Sequence, residues 1–268
     1  MATSKNAFNR SIGENLVRFY NKIEVSHNSG LVCTVGRRLQ AQEIKDKLNS
    51  LISAADPIDP SLARRLDEIN RWVKDVKPGS LTAKKFVMAF LLQLIRDSQI
   101  WLAVQSLPSE IEKQAAFELM TPGERYWYSY LFPKWLREND RKFYIWKQKL
   151  KAGEFDPADD IVIRAIASRI VERQGSVLYR YVADLSMATD SIVSNRQQQP
   201  LCIQVTTLSD EFSEQKYQNW QQTLQDWGID RGLFLSYDTK DANFLNQLVN
   251  IALYNSDNLP AGRYLKFP

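Results

Sequence analysis

The chain has 268 residues and a mass of 31.0 kDa, with 44% apolar and 25% charged residues. That excludes disordered and collagen-like chains and is enough for one large domain or two small ones. The net charge of +4 is uneven: residues 1–155 carry 25 Lys and Arg against 17 Asp and Glu, and residues 156–268 carry 10 against 14. A basic half followed by an acidic half points to an anionic partner for the first, the alternative being two plain solvated surfaces. The apolar run over residues 86–95 is broken by Gln93 and flanked by Lys85 and Arg96, short of the roughly 20 residues that span a bilayer. With no apolar leader at residues 1–15, the expectation is a cytoplasmic protein without a membrane helix. Two cysteines, Cys33 and Cys202, and a single histidine, His27, cannot supply the four ligands of a structural zinc site. His27 lies in the turn-like VSHNSG, which argues against a Ser-His-Asp or Cys-His nucleophile. Neither G-x-x-x-x-G-K-[ST] nor G-x-G-x-x-G occurs, which argues against nucleotide hydrolysis.

Helical periodicity runs over residues 11–151. Ile12, Leu16, Phe19, Tyr20 and Ile23 recur at three- and four-residue steps, as do Leu62, Leu66, Ile69 and Val73. Asp56-Pro57, Asp59-Pro60, Pro78-Gly79-Ser80, Pro108-Ser109 and Thr121-Pro122-Gly123 punctuate the helices. A linker or sharp turn is expected at residues 153–157, and beyond it the period changes. A helix is predicted over 161–171, strands over 177–182, 190–193 and 201–207, a Gln-rich helix over 213–227, a buried strand over 232–237 and a last helix over 241–254. This order is α/β (α+β overall), an all-helical basic lobe at 1–155 followed by a mixed sheet flanked by helices at 156–268.

In the segment DSIVSNRQQQPLCIQVTT, strand alternation sends Cys202, Gln204 and Thr206 to one face and Ile203 and Val205 to the other. A hairpin over residues 195–199 brings Asp190 beside Gln204. The stretch resembles the core of the PD-(D/E)XK nuclease superfamily, in which an Asp opens one strand and a hairpin leads to an apolar strand reading I-E-V-K-T. The helix before it, Gly175 ending that helix, the helix after it and the strand RGLFLSY follow the same order, so the resemblance covers roughly residues 158–254. It implies a restriction-endonuclease-like sheet and Mg²⁺ (or Mn²⁺) chemistry, with Asp190 as a metal-binding residue. Gln204 stands where Glu or Asp is usual, and Thr206 stands where Lys belongs. A neutral amide is a weaker ligand for a hard cation than a carboxylate, and Thr206 carries no positive charge. Lys216 is the candidate for a displaced catalytic ammonium, and Glu172 for a second metal-binding carboxylate. The plain alternatives are a solvated lysine beside the apolar stripe Tyr217, Trp220, Leu224 and Trp227, and an exposed helix-end carboxylate.

Residues 124–151 interleave nine aromatics with eight basic residues. Aromatic faces among cations suit single-stranded nucleic acid, and the candidates are Arg125, Lys134, Arg137, Arg141, Lys142, Lys147 and Trp146. Trp127, Leu131 and Trp135, and also Phe143 and Trp146, recur at helical spacing and equally suit a core ringed by snorkelling bases. The basic pairs Arg37-Arg38 and Arg64-Arg65 read as solvated faces. Three functions stay open: a metal-dependent nuclease, a catalytically lapsed nuclease-like module that binds DNA, RNA or another protein subunit, and a helical scaffold.

Overall fold

A computed structural model describes residues 41–74, 85–152, 160–207, 213–238 and 243–267. The expectations at Ile12 to Ile23, His27, Cys33, Arg37-Arg38, Pro78 to Ser80 and residues 153–157 lie outside the described residues. The chain divides into two compact units, Met1–Leu119 and Met120–Pro268. The division falls well before residue 155, so residues 120–152, expected in the helical lobe, belong to the unit that contains the sheet.

In the first unit, α1 (Ala41–Ala55) and α2 (Pro60–Lys74) pack as a pair. Leu62, Leu66, Ile69 and Val73 are fully buried, on the face their spacing predicts. The Asp59-Pro60 signal is a helix start. The Asp59 carboxylate accepts the Ser61 and Leu62 amides at 3.0 and 3.3 Å, and its second oxygen accepts the Trp101 indole N–H at 2.8 Å. Then come α3 (Lys85–Gln105) and α4 (Glu110–Glu118), the latter capped by Ser109 as Pro108-Ser109 suggests. In α3 the apolar character continues past the run seen in the sequence: Phe86–Gln105 is long and apolar enough to cross a membrane, and 61% of that window is buried inside the molecule. Burial there is what a core helix needs, with Asp97 and Ser98 buried among its apolar residues and Ser98 donating to Leu94 O.

The second unit opens with a continuous helical run: α5 (Pro122–Tyr126), a π turn at Trp127–Leu131, and α6 (Phe132–Arg137). Thr121 and Glu124 form a reciprocal capping box at its start. Pro133 has no N–H to give the α-helical ladder, and the Phe132 amide reaches back five residues to Trp127 O, closing the π turn. Next are α7 (Phe143–Ala152), α8 (Asp160–Glu172), β1 (Ser176–Leu178), α9 (Tyr181–Met187), β2 (Ser191–Ser194), β3 (Leu201–Thr207), α10 (Ser213–Asp226), β4 (Arg231–Tyr237), α11 (Phe244–Asn258) and β5 (Arg263–Phe267).

The five strands lie in the order β1-β2-β3-β4-β5. The first three pair antiparallel and the last three parallel, so the sheet is mixed, flanked by helices and preceded by helices: an α/β (α+β) fold with a helical N-terminal region. On one face Leu201, Ile203, Val205, Leu233, Leu235 and Tyr237 pack against Ile166 and Ile170 of α8 and Leu248, Val249 and Ala252 of α11. The other face carries Cys202, Gln204 and Thr206 beside Gly232, Phe234 and Ser236. There α10 sits so close that a Cβ on Gly232 would fall 2.4 Å from Leu224 and 2.7 Å from Trp220.

Two elements differ from expectation. The strand predicted over 177–182 is only β1, because Tyr181–Met187 forms a helix that buries Val182, Ala183, Ser186 and Met187 and ends at Ala188 in the left-handed region (φ 50°). The edge strand β5 was not foreseen. It carries half-buried residues after a turn at Gly262 (φ 73°), so it shows no strong alternation.

Candidate functional site

The hairpin expected from the sequence brings Asp190 and Gln204 together. Asp190 precedes β2 and continues its ladder, its amide donating to Ile203 O at 2.9 Å. Its carboxylate is buried, and Oδ2 accepts the Val205 amide at 2.6 Å and Gln204 Nε2 at 2.8 Å. The Asp190 side chain thus replaces a backbone acceptor at the end of the β2–β3 pairing, and the Gln204 amide gives it a second donor.

The Gln204 N–H₂ faces the carboxylate; a metal held between the two side chains would need the amide turned to present its carbonyl oxygen, a neutral ligand weaker than a carboxylate. Among the described residues no group of three or more His, Cys, Asp or Glu side chains is placed to hold a metal ion. Thr206, two residues along on the same face, gives its hydroxyl to Thr207 O at 3.4 Å. Lys216 is exposed in the first turn of α10, on the sheet face that carries Gln204. Glu172 is an exposed residue at the end of α8, the helix covering the opposite face, and it accepts the Ser168 hydroxyl at 3.1 Å. The structure therefore joins Asp190 to Gln204 and does not join Glu172 to them. Cys202, opposite Ile192 in the β2–β3 pairing, is buried, and burial pushes its thiol up to about 12.

The aromatic arm is mostly core. Trp127, Tyr128, Phe132, Trp135 and Trp146 are buried, which corrects the placement of Trp146 on a nucleic-acid surface. Its indole donates to Asp140 Oδ2 at 3.2 Å, so its ring is not offered to a base. The same oxygen accepts Trp135 Nε1 at 3.1 Å and the Ser186 hydroxyl at 2.6 Å, while Oδ1 accepts the Lys142 amide at 2.9 Å. In the sequence Asp140 stands out only as one acid among many bases; nothing local reveals it as a buried acceptor for three side chains.

The basic residues divide. Arg125 is half-buried, and Lys134 pairs with Glu138 at 3.5 Å and lies over the Tyr130 ring. Lys142 donates to Thr223 at 3.3 Å, and burial lowers its pKa. Arg137 and Arg141 face solvent, Arg141 reaching Asp226 at 3.6 Å. Lys147 lies 5.4 Å from the ring centres of Phe143 and Tyr144, and Tyr144 is 65% exposed. Helix α7 thus presents one open aromatic ring, Tyr144, beside the Lys147 ammonium. Below it, Asp184 of α9 is pushed up to about 7 by burial, against the opposing effects of the Tyr179 hydroxyl and the Lys142 charge. Compared with protein-family models, curated proteins and solved structures, the chain matches none.

Proposed function

We propose that this chain is a nucleic-acid-binding protein built on a nuclease-like sheet, in which the Asp190 site holds the fold together and does not hold a metal ion. The observation that carries the binding role is the exposed Tyr144 ring with the Lys147 ammonium over it, in a stretch of chain that also exposes Arg137 and Arg141; base stacking and phosphate neutralisation are the chemistry such side chains offer. The nuclease resemblance is supported by Asp190 at the mouth of a hairpin beside Gln204, within a mixed sheet flanked by helices. The lapse of catalysis is supported by the neutral Gln204 amide beside Asp190, a weaker ligand for a hard cation than the carboxylate usual at that place. DNA or RNA is the partner in this reading, with a further protein subunit compatible with it and the cytoplasm as its compartment.

The test is fluorescence anisotropy with labelled single- and double-stranded DNA and RNA at about 50 and 200 mM salt. Alongside it, denaturing gels follow the same substrates in Mg²⁺, Mn²⁺ or EDTA. Binding is expected to fall steeply with salt, to survive Asp190→Asn and to weaken in Tyr144→Ala, with no cleavage products. Metal-dependent cutting that disappears in Asp190→Asn would restore the second reading, a metal-dependent nuclease, which the position of Asp190 favours. Gln204→Glu sharpens the choice. It sets a second carboxylate beside Asp190 and is expected to create Mn²⁺ binding that the wild type lacks, detected by calorimetric titration.

A further inference from the structure

On the opposite side of the sheet from Asp190, α8 and α11 flank an open pocket of about 380 Å³ lined by Ser168, Arg169, Glu172, Arg173, Leu245 and Asn246, among others. We propose that this pocket binds a phosphate monoester group. The proposal does not depend on the function proposed above.

Arg169, in the last turn of α8, and Arg173, the residue after its end, lie four residues apart and converge on a single atom. Arg169 Nη1 and Arg173 Nη2 both donate to Asn246 Oδ1, the latter at 3.2 Å, and Arg173 Nη1 donates to Asn250 Oδ1. Asn246 Nδ2 donates in turn to Asn243 Oδ1 at 2.9 Å, which fixes the Asn246 carbonyl towards the arginines. All these acceptors are neutral. Glu172, the acid nearest in sequence, is occupied by the Ser168 hydroxyl, and neither guanidinium has a carboxylate partner among the described residues.

Two cations held together by amide oxygens repel one another, and carboxylates at positions 246 and 250 would clamp α8 to α11 without that repulsion. The amides leave two guanidinium groups, with most of their N–H donors uncommitted, at the wall of an open pocket. Planar guanidinium forks match phosphate oxygens in geometry, and two forks side by side offer more N–H donors than two oxygens can take up. A phosphate monoester presents three terminal oxygens to them, whereas a phosphodiester or a carboxylate presents two. Glu172 on the same wall leaves the three charged side chains a net charge of one, which disfavours more highly charged polyphosphates.

The full chain is titrated calorimetrically with inorganic phosphate and with a nucleoside 5′-monophosphate. It is also tested by anisotropy with 5′-phosphorylated and 5′-hydroxyl forms of one oligonucleotide. Saturable binding of phosphate is expected, weakened roughly tenfold or more in Arg173→Gln. Asn246→Asp is expected to abolish it, because the new carboxylate neutralises both guanidinium groups, and to leave the Tm in phosphate-free buffer equal or higher. Preference for the 5′-phosphorylated oligonucleotide would assign the group to a nucleic-acid end. Equal binding of the two oligonucleotides, with the mononucleotide saturating the site, would assign it to a small ligand. The proposal is overturned by absence of saturable binding with every phosphate probe, or by an Asn246→Asp protein that binds phosphate as the wild type does.

Discussion

The two faces of the sheet are held by different physics. Beneath α8 and α11 the contacts are between aliphatic side chains, Ile203 and Val205 against Leu248, Val249 and Ala252 among them. Polar chemistry is kept to the rim, where buried Arg231 donates to the carbonyls of Pro200, Asn255, Ser256 and Leu259 and so satisfies the C-terminal end of α11. On the α10 side, tryptophans supply directed bonds as well as area. Trp227 donates to Ser186 O at 2.9 Å and Trp220 to Ala188 O at 3.0 Å, and the Ser186 hydroxyl reaches Asp140. The segment from Ser186 to Asp190 is thereby tied at several points just where it delivers Asp190 to Gln204. Apolar area is non-directional and tolerates small changes in volume, whereas a bonded network loses several partners when one member goes. The face that positions Asp190 is the less forgiving one.

Breaking the network at its centre tests that contrast most severely. Asp140→Ala removes the acceptor of Trp135, Trp146 and Ser186 together and is expected to cost about 3–5 kcal/mol of stability in urea unfolding. A loss under about 1 kcal/mol would mean that the three donors find other partners, and the directional account of this face would fail. On the opposite face, Ile203→Val deletes one methylene from a fully packed site and is expected to cost only about 1 kcal/mol with an unchanged m-value. If the two variants were equally damaging, the faces would not differ in the way described.

What was legible in the sequence follows the same divide. Short-range signals carried through: Asp59-Pro60 and Thr121-Pro122 are helix starts, and LCIQVTT is a strand over 201–207 with its polar residues on one side. Alternation also placed Gln204 next to Asp190, yet it did not reveal that the amide nitrogen, not the oxygen, faces the carboxylate. That depends on which donors remain once the Val205 amide is also pointed there. Aromatics interleaved with bases fit a groove and a core equally well until Asp140 appears as the indole acceptor, and Trp146 falls on the core side. The Arg169 and Arg173 pocket was invisible because its other wall, Leu245 and Asn246, comes from a helix whose Asn246 lies 77 residues from Arg169. Helix α9 was masked by aromatic and β-branched residues in YVADLSM, which favour a strand locally and are overruled by burial.

The smallest expected effect isolates a single proton on the directional face. Asp184 has its folded pKa raised from 3.8 to about 7, chiefly by burial. A raised carboxylate pKa means that the folded state binds a proton the unfolded state releases, so the associated stability is complete below the unfolded value. It is lost as pH rises through about 7. Tm is therefore expected to fall from about pH 5 to about pH 8. Asp184→Asn is neutral throughout: it should match the wild type at the lower pH, melt slightly higher at the upper one, and flatten the profile between them. The Tyr179 hydroxyl, 3.4 Å away, and the Lys142 charge both favour the ionised form, and the raised value is what remains after they offset part of the burial; the difference stays small because Asp184 is only half-buried, so water screens its charge. Were the slope unchanged in Asp184→Asn, another group would be taking up the proton. The polar interior behind the Tyr144 surface would then be better solvated than the burial of Trp146 and Asp140 implies.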